Sequence, residues 1–237
     1  MTETRKRVAI LISGRGTNMA KLIEAAEDPS YPAEIAGVIS DVPEAPGLVY
    51  AADKGIGTAA IARSDYPSKE AHDAAIDAAL QVLGADIVCL AGYMRLLTAG
   101  FVEGWAGRLI NIHPALLPSF KGLDTHRQAL EAGVRVHGCT VHFVTAETDG
   151  GPIIAQAAVP VLTGDGEAEL AARVLKAEHE LYPLALKLVA EEKVRMTEGR
   201  AVFEGFGEGP KDGNARLFSP ASWEDELDFE ALARFTP

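Results

Sequence analysis

Residues 8–12, VAILI, form an unbroken apolar run that ends directly in a glycine-rich turn. Such a run marks a strand buried on both faces, as in a parallel sheet. The period then changes. Met19, Leu22, Ile23 and Ala26 recur at helical spacing and predict a helix over residues 17–27 with one apolar face. The alternation continues: residues 35–40, 57–61, 86–91 and 109–113 read as strands, and residues 46–55, 68–83 and 124–132 as helices. Ser68 suits the capping position of its helix. Strands alternating with helices predict a mostly parallel sheet covered on both faces. After Gly138 the pattern shifts to two strand-like runs, CTVHFV and IIAQAAVPV, joined by the turn TAETDGGP, which gives the sheet antiparallel members. Residues 167–191 follow as a long helix, with Leu170, Val174, Ala177, Leu181, Leu184 and Leu188 on one face. The expected fold is α/β: a Rossmann-like, open, mostly parallel twisted sheet with helices on both faces and a C-terminal antiparallel portion.

The end of the chain differs in character. EGFGEGPKDGN is glycine-rich and reads as a loop. SWEDELDFEALARF has a capping box at Ser222 and Asp225, then Leu227, Ala231, Leu232 and Phe235 at helical spacing. The expected organisation is a catalytic domain over residues 1–203 and an extension over 204–237 with a short acidic amphipathic helix.

Composition narrows the function classes. A chain of 237 residues buries enough surface to fold without disulfides or a structural metal. A net charge of -12 argues against a dedicated nucleic-acid binder, but leaves room for a phosphorylated small substrate, which needs only local donors. No stretch reaches the ~18 apolar residues of a membrane span, and the first apolar run is too short for a signal peptide. Cys89 and Cys139, both in apolar strand-like runs, read as buried free thiols. A cytoplasmic protein with small-molecule partners, no membrane contact and no nucleic acid is the expectation, with a homodimer as the assembly to test.

The first glycine-rich turn, ISGRGTN, raises the question of its ligand. A dinucleotide loop places glycines as G-x-G-x-x-G. Gly14 and Gly16 fit, but Met19 stands where the third glycine allows close helix–strand packing. Asp41, at the end of the second strand, is placed to hold a ribose, yet one acid at a strand end carries little weight. The better reading is a cradle for a phosphate or another anion. Glycines bring backbone N–H groups close, Thr17 and Asn18 add side-chain donors, and the helix N-terminus favours negative charge. Arg15 could add a full positive charge.

The second informative stretch is LINIHPALLPSFKG. Asn111 and His113, two residues apart on a strand, project to one face at the carboxyl end, where open α/β sheets bind ligands. Asp149 precedes Gly-Gly-Pro; beside an imidazole, its carboxylate would raise the histidine pKa and let it donate a proton near neutrality. No HExxH or CxxC pattern suggests a metal, no G-x-S-x-G elbow presents a nucleophile, and the glycine loop lacks the G-K-[ST] ending of a Walker motif. Asn plus a protonated His fits an oxyanion site for direct acyl transfer between two bound substrates.

ISGRGTN, AGYMRLL, GRLINIHPALLPSFKGLDTHRQAL, HGCTVHFVTAETDGGPII and RVLKAEHELYP occur in this order. Together they resemble the folate-dependent glycinamide ribonucleotide formyltransferase family of de novo purine synthesis, over residues 8–203. The resemblance implies the formyltransferase fold and formyl transfer from 10-formyltetrahydrofolate, a co-substrate, to the glycinamide amine, with no metal. It implies Asn111, His113 and Asp149 as the catalytic trio: His113 donating to the oxyanion, Asn111 helping to hold it, Asp149 tuning His113 and relaying protons through water. It assigns Gly16, Thr17 and Asn18 to the phosphate and Glu178 to the ribonucleotide. The folate pocket would be formed by Lys69, Met94, Arg95, Leu96, Leu97, Asn111, Thr145, Ala146, Glu147, Thr148 and Asp149. Arg15 and Lys69 depart from the residues usual in relatives, and the tail after Phe203 has no counterpart.

Rival readings remain. Methionyl-tRNA formyltransferase shares the trio but adds a C-terminal domain and a basic surface, against which the acidic tail counts. Formyltetrahydrofolate hydrolase shares it but carries an N-terminal regulatory domain, whereas seven residues precede the first strand expected here. A non-enzymatic folate- or nucleotide-binding module would not need the three polar residues together.

Overall fold

The computed structural model describes residues 5–205 and 218–219. Its first strand, β1 (Lys6–Ile12), is buried along its last five residues and sorts them by parity. Val8, Ile10 and Ile12 join one apolar cluster, which also holds Leu22 and Ile23 and the long C-terminal helix. Ala9 and Leu11 join a second cluster with Ile76, Leu80 and Trp105 on the other face. A strand flanked by two apolar layers must be apolar throughout, and this is why VAILI shows no alternation.

The elements follow in order: α1 (Thr17–Ala26), β2 (Ala33–Ser40), α2 (Pro46–Asp53), β3 (Thr58–Ala60), a 3-10 turn at Arg63–Asp65, α3 (Lys69–Val82), β4 (Ile87–Leu90), α4 (Ala99–Gly104), β5 (Leu109–His113), α5 (Thr125–Glu131), β6 (Val136–Phe143), β7 (Ile153–Pro160) and α6 (Glu167–Ala190). A hairpin of β8 (Val194–Thr197) and β9 (Arg200–Phe203) comes next, and β10 (Phe218–Ser219) ends the described chain.

The main sheet has the order β10-β7-β6-β5-β4-β1-β2-β3. Neighbours from β3 to β5 pair in parallel; β5–β6, β6–β7 and β7–β10 pair antiparallel. The chain leaves β1 toward β2 on one side and later places β4 on the other, so the sheet reverses direction of winding at β1. That switch point opens a crevice at the carboxyl ends of the strands.

Helix ends follow local chemistry. Ser68 caps α3 by accepting from Ala71 N–H at 3.1 Å, as its position predicts. Gly166 N–H is taken by the Glu169 carboxylate at 3.1 Å at the start of α6. α6 also anchors the sheet below the crevice: the fully buried Tyr182 hydroxyl donates toward Leu90 O at 3.0 Å and Ile110 O at 3.2 Å. Pro183 lies inside α6, and its carbonyl accepts from Tyr31 Oη at 2.6 Å.

Three elements lack a strong sequence signal: α4, with Thr98 as its cap; the 3-10 turn; and the β8–β9 hairpin. All are short, and short elements carry too few periods to register. Within the expected C-terminal extension, Phe218 and Ser219 form a strand against Ala157 and Gln156 of β7. The predicted acidic helix lies outside the described residues. Cys89 and Cys139 are buried free thiols.

Candidate active site

β5 brings Asn111 and His113 to the crevice on one face, while Ile110 and Ile112 enter the core on the other. Because β6 runs antiparallel, its register sets His142 directly opposite Asn111 and Thr140 opposite His113. Asn111 Nδ2 lies 3.3 Å from His142 Nε2, and His142 Nδ1 lies 2.8 Å from Phe143 O. A carbonyl only accepts, so His142 Nδ1 carries the proton and Nε2 is left to accept from Asn111. Burial lowers the His142 pKa, opposed by the Phe143 carbonyl and Asp149, and the neutral ring suits this role. One Asn111 N–H is thereby fixed and the other is free for a ligand.

His113 is 4% exposed and is held from the opposite side. Its Nε2 donates to Phe120 O at 2.9 Å, which turns Nδ1 toward Asp149 Oδ2 at 3.6 Å. Asp149 also lies 3.9 Å from His142 Nε2 through Oδ1. Its own position is set by backbone. Asp149 has φ 50°, a left-handed conformation that Asp tolerates, and its Oδ2 accepts from Gly122 N–H at 2.9 Å. Gly151, two residues on, passes so close to β6 that a Cβ there would stand 1.8 Å from Phe143 O. The loop after β5 is pinned by Thr140, whose hydroxyl donates to Ala115 O at 2.7 Å and accepts from Leu117 N–H at 3.0 Å. The expected trio therefore converges, with His142 as a fourth member.

Beside it opens a cleft of about 260 Å³. Of the expected folate residues, Lys69, Arg95, Leu96, Leu97, Asn111, Thr145, Ala146, Glu147, Thr148 and Asp149 line it. Met94 is not among them: it is 65% exposed, and its N–H donates to Ser13 Oγ at 2.8 Å. Leu90, Tyr93, Val102, His142 and Val144 complete the wall. These were not singled out from sequence. His142 had the same signal as Asn111, a polar residue inside an apolar strand; the others look like ordinary core. The cleft thus combines an apolar wall with a polar rim at Asn111, His142 and Asp149, the usual composition of a small-molecule site.

The glycine turn follows β1 and leads into α1. Gly16 adopts φ 68°, and a Cβ there would approach Met19 Cε to 2.9 Å. Met19 is fully buried beneath the turn, filling the space that the third glycine of a dinucleotide loop would leave open. Asn18 is turned inward: Nδ2 donates to Glu178 Oε2 at 2.6 Å, while Oδ1 is buried without a partner. Burial pushes the Glu178 carboxyl above the usual carboxylate range, and the Asn18 hydrogen bond opposes this. The first turn of α1 contains no acidic residue to compete with an anion. Arg15 is exposed. Asp41 is not free to hold a ribose, since it is already paired with Ser13 and Arg95. Among the described residues no group of three or more His, Cys, Asp or Glu converges to hold a metal ion, and no helix is long and apolar enough to cross a membrane.

A family model described as formyl transferase matches residues 6–186. The chain is 44% identical over 198 residues to the phosphoribosylglycinamide formyltransferase of Escherichia coli (strain K12), covering 84% of this chain and 93% of that protein. It is 50% identical over 194 residues to the trifunctional purine biosynthetic protein adenosine-3 of Homo sapiens, covering 82% of this chain but 19% of that one. This chain thus spans about a fifth of the length of that relative. The crystal structure of glycinamide ribonucleotide transformylase 1 from Symbiobacterium toebii superposes with a TM-score of 0.82 at 47% identity, covering 84% of this chain and 94% of that one.

Proposed function

This chain belongs to the formyl transferase family, and on that premise we propose that it transfers the formyl group of 10-formyltetrahydrofolate to the amine of glycinamide ribonucleotide, in the cytoplasm, as a step of purine synthesis. One observation carries the reading. Asn111, His142 and Asp149 line the polar end of the cleft, and His113 Nδ1 faces Asp149 Oδ2 at 3.6 Å. A formyl donor seated in this cleft would lie beside these groups.

The chemistry follows from the tautomers. The ribonucleotide amine attacks the formyl carbon and a tetrahedral oxyanion forms. The free N–H of Asn111 and a protonated His113 stabilise it; since His113 Nε2 is committed to Phe120 O, Nδ1–H is the proton available. One preorganised donor contributes about 3 kcal/mol in such sites. Collapse breaks the bond from carbon to N10 as the new carbon–nitrogen bond is kept. The proton lost by the amine passes by way of Asp149 and water to N10. Lys69, Arg95 and the loop 145–149 would hold the folate, and Gly16, Thr17, Asn18 and Glu178 the ribonucleotide, with its phosphate on the α1 N-terminus.

The test is an acceptor comparison. The protein is given 10-formyltetrahydrofolate with glycinamide ribonucleotide, with charged initiator tRNA, or with water alone, and loss of the formyl group is followed. Rapid transfer to the ribonucleotide alone is expected. Faster consumption with tRNA or with water would replace this reading by one of the two rival activities.

A further inference from the structure

Asp41, just beyond β2, is a carboxylate whose side chain is 2% exposed. Both oxygens are engaged. Oδ1 accepts from Ser13 Oγ at 2.5 Å and Oδ2 accepts from Arg95 Nε at 2.8 Å. Ser13 lies in the turn after β1; its N–H donates to Gly92 O at 3.1 Å, and its hydroxyl oxygen accepts from Met94 N–H at 2.8 Å. Three adjacent strand ends, those of β2, β1 and β4, are thus laced through one buried acid. One of them carries the glycine turn, and another the Arg95–Leu97 wall of the cleft.

A buried carboxylate requires donors, so a purely structural role is the first explanation to weigh. It does not account for the donor chosen. The Arg95 side chain is 52% exposed and lines the cleft. It reaches the acid through Nε alone, at the base of the guanidinium, and its hydrogen bond to Asp41 leaves both terminal nitrogens uncommitted. A counter-ion serving only the buried acid would be buried with it. Here the rigid guanidinium is held at its root and open at its tip, an arrangement that presents two parallel donors in a fixed direction.

We infer that Asp41 is a positioning residue for the cleft: it fixes Arg95 so that the terminal guanidinium nitrogens meet a carboxylate or carbonyl oxygen of the bound co-substrate, without that ligand having to order the side chain itself. The identity of the co-substrate as a folate rests on the proposed function. Asp41→Asn separates the two links. The retained Oδ1 still accepts from Ser13, while the charge that holds Arg95 is lost.

The assay is calorimetric binding of a non-reactive 10-formyltetrahydrofolate analogue and, separately, of glycinamide ribonucleotide. Asp41→Asn should weaken the analogue about tenfold and change the ribonucleotide by less than about twofold, as expected for the loss of a preorganised contact. In an Arg95→Gln background the same substitution should have no further effect on the analogue, because Asp41 acts only through Arg95. Arg95→Lys probes the link from its exposed side, where folding is not at risk, and should weaken the analogue to a similar degree. Equal weakening of both ligands, additive effects in the double variant, or unchanged analogue affinity in Arg95→Lys would overturn the inference. A wild-type protein that binds the analogue but formylates no ribonucleotide would overturn the proposed function and leave this inference standing.

Discussion

The contact between Gly151 and β6 is the sharpest test of how the site is assembled. Replacing Gly151 by Ala sets a Cβ 1.8 Å from Phe143 O and 2.9 Å from the carbonyl carbon. An ordinary contact begins near 3.4 Å, so backbone must retreat by about 1.6 Å. Neither side yields easily. Phe143 N–H is bonded to Pro152 O at 2.9 Å, and Val144 N–H to Leu109 O at 2.9 Å. Overpacking of this kind costs about 1–3 kcal/mol, or more where backbone must move. For a chain of this length that is a fall in Tm of about 2–12 °C. The functional loss should exceed the loss of stability. Asp149 stands two residues away, and a misplacement of about 1 Å near reacting groups lowers turnover by about 100-fold. The measurements are a thermal melt and kcat for formyl transfer at a temperature where the variant is fully folded. A folded Gly151→Ala protein with wild-type kcat would refute the claim that this approach places Asp149. A wild-type Tm would refute the close approach itself.

Asp149→Asn preserves the acceptor for Gly122 N–H but not the charge facing His113, and should remain folded while kcat falls at least ~100-fold; near-normal turnover in a steady-state assay would remove Asp149 from the mechanism. Asn18→Ala withdraws the donor from buried Glu178, and the KM for the ribonucleotide should rise about tenfold while that for the folate stays within about twofold; parallel increases would sink the phosphate-side assignment. His137 has its pKa lowered to about 4 by burial and by His126, from an ordinary 6.5. The unfolded chain therefore binds this proton first as pH falls below ~6.5, and stability declines until the folded value is passed, by about 2 kcal/mol at pH 5. His137→Phe should flatten the Tm profile between pH 5 and 7, and an unchanged slope would show that other groups set it.

Asp41 and His142 mark where reading the sequence fell short. Asp41 was visible as an acid at a strand end, and spacing alone suggested a ribose contact. Its actual partners, Ser13 and Arg95, are 28 and 54 residues away and meet it only because β1 lies between β2 and β4. His142 had a signal, a polar side chain in CTVHFV, but its meaning depended on the antiparallel register that sets it opposite Asn111. Met94, which the family resemblance puts in the folate pocket, is not among the residues that line the cleft.

The chain's local patterns determined a great deal. Unbroken apolar runs specified buried strands, helical periods specified the covering layers, and the turn glycines and Ser68 specified where elements begin. These are properties of a segment and its burial, and one segment contains all the information they need. Motif order carried the family, and parity on β5 placed Asn111 and His113 on one face. The tertiary structure decided the rest: the pairing of β5 with β6, the approach of Gly151 to Phe143, the tautomers of His113 and His142, and the lacing of three strand ends through Asp41. Each of these depends on atoms far apart in sequence brought within hydrogen-bond range. No local period encodes such a distance, because it is set by sheet order and register, which only the packed whole selects.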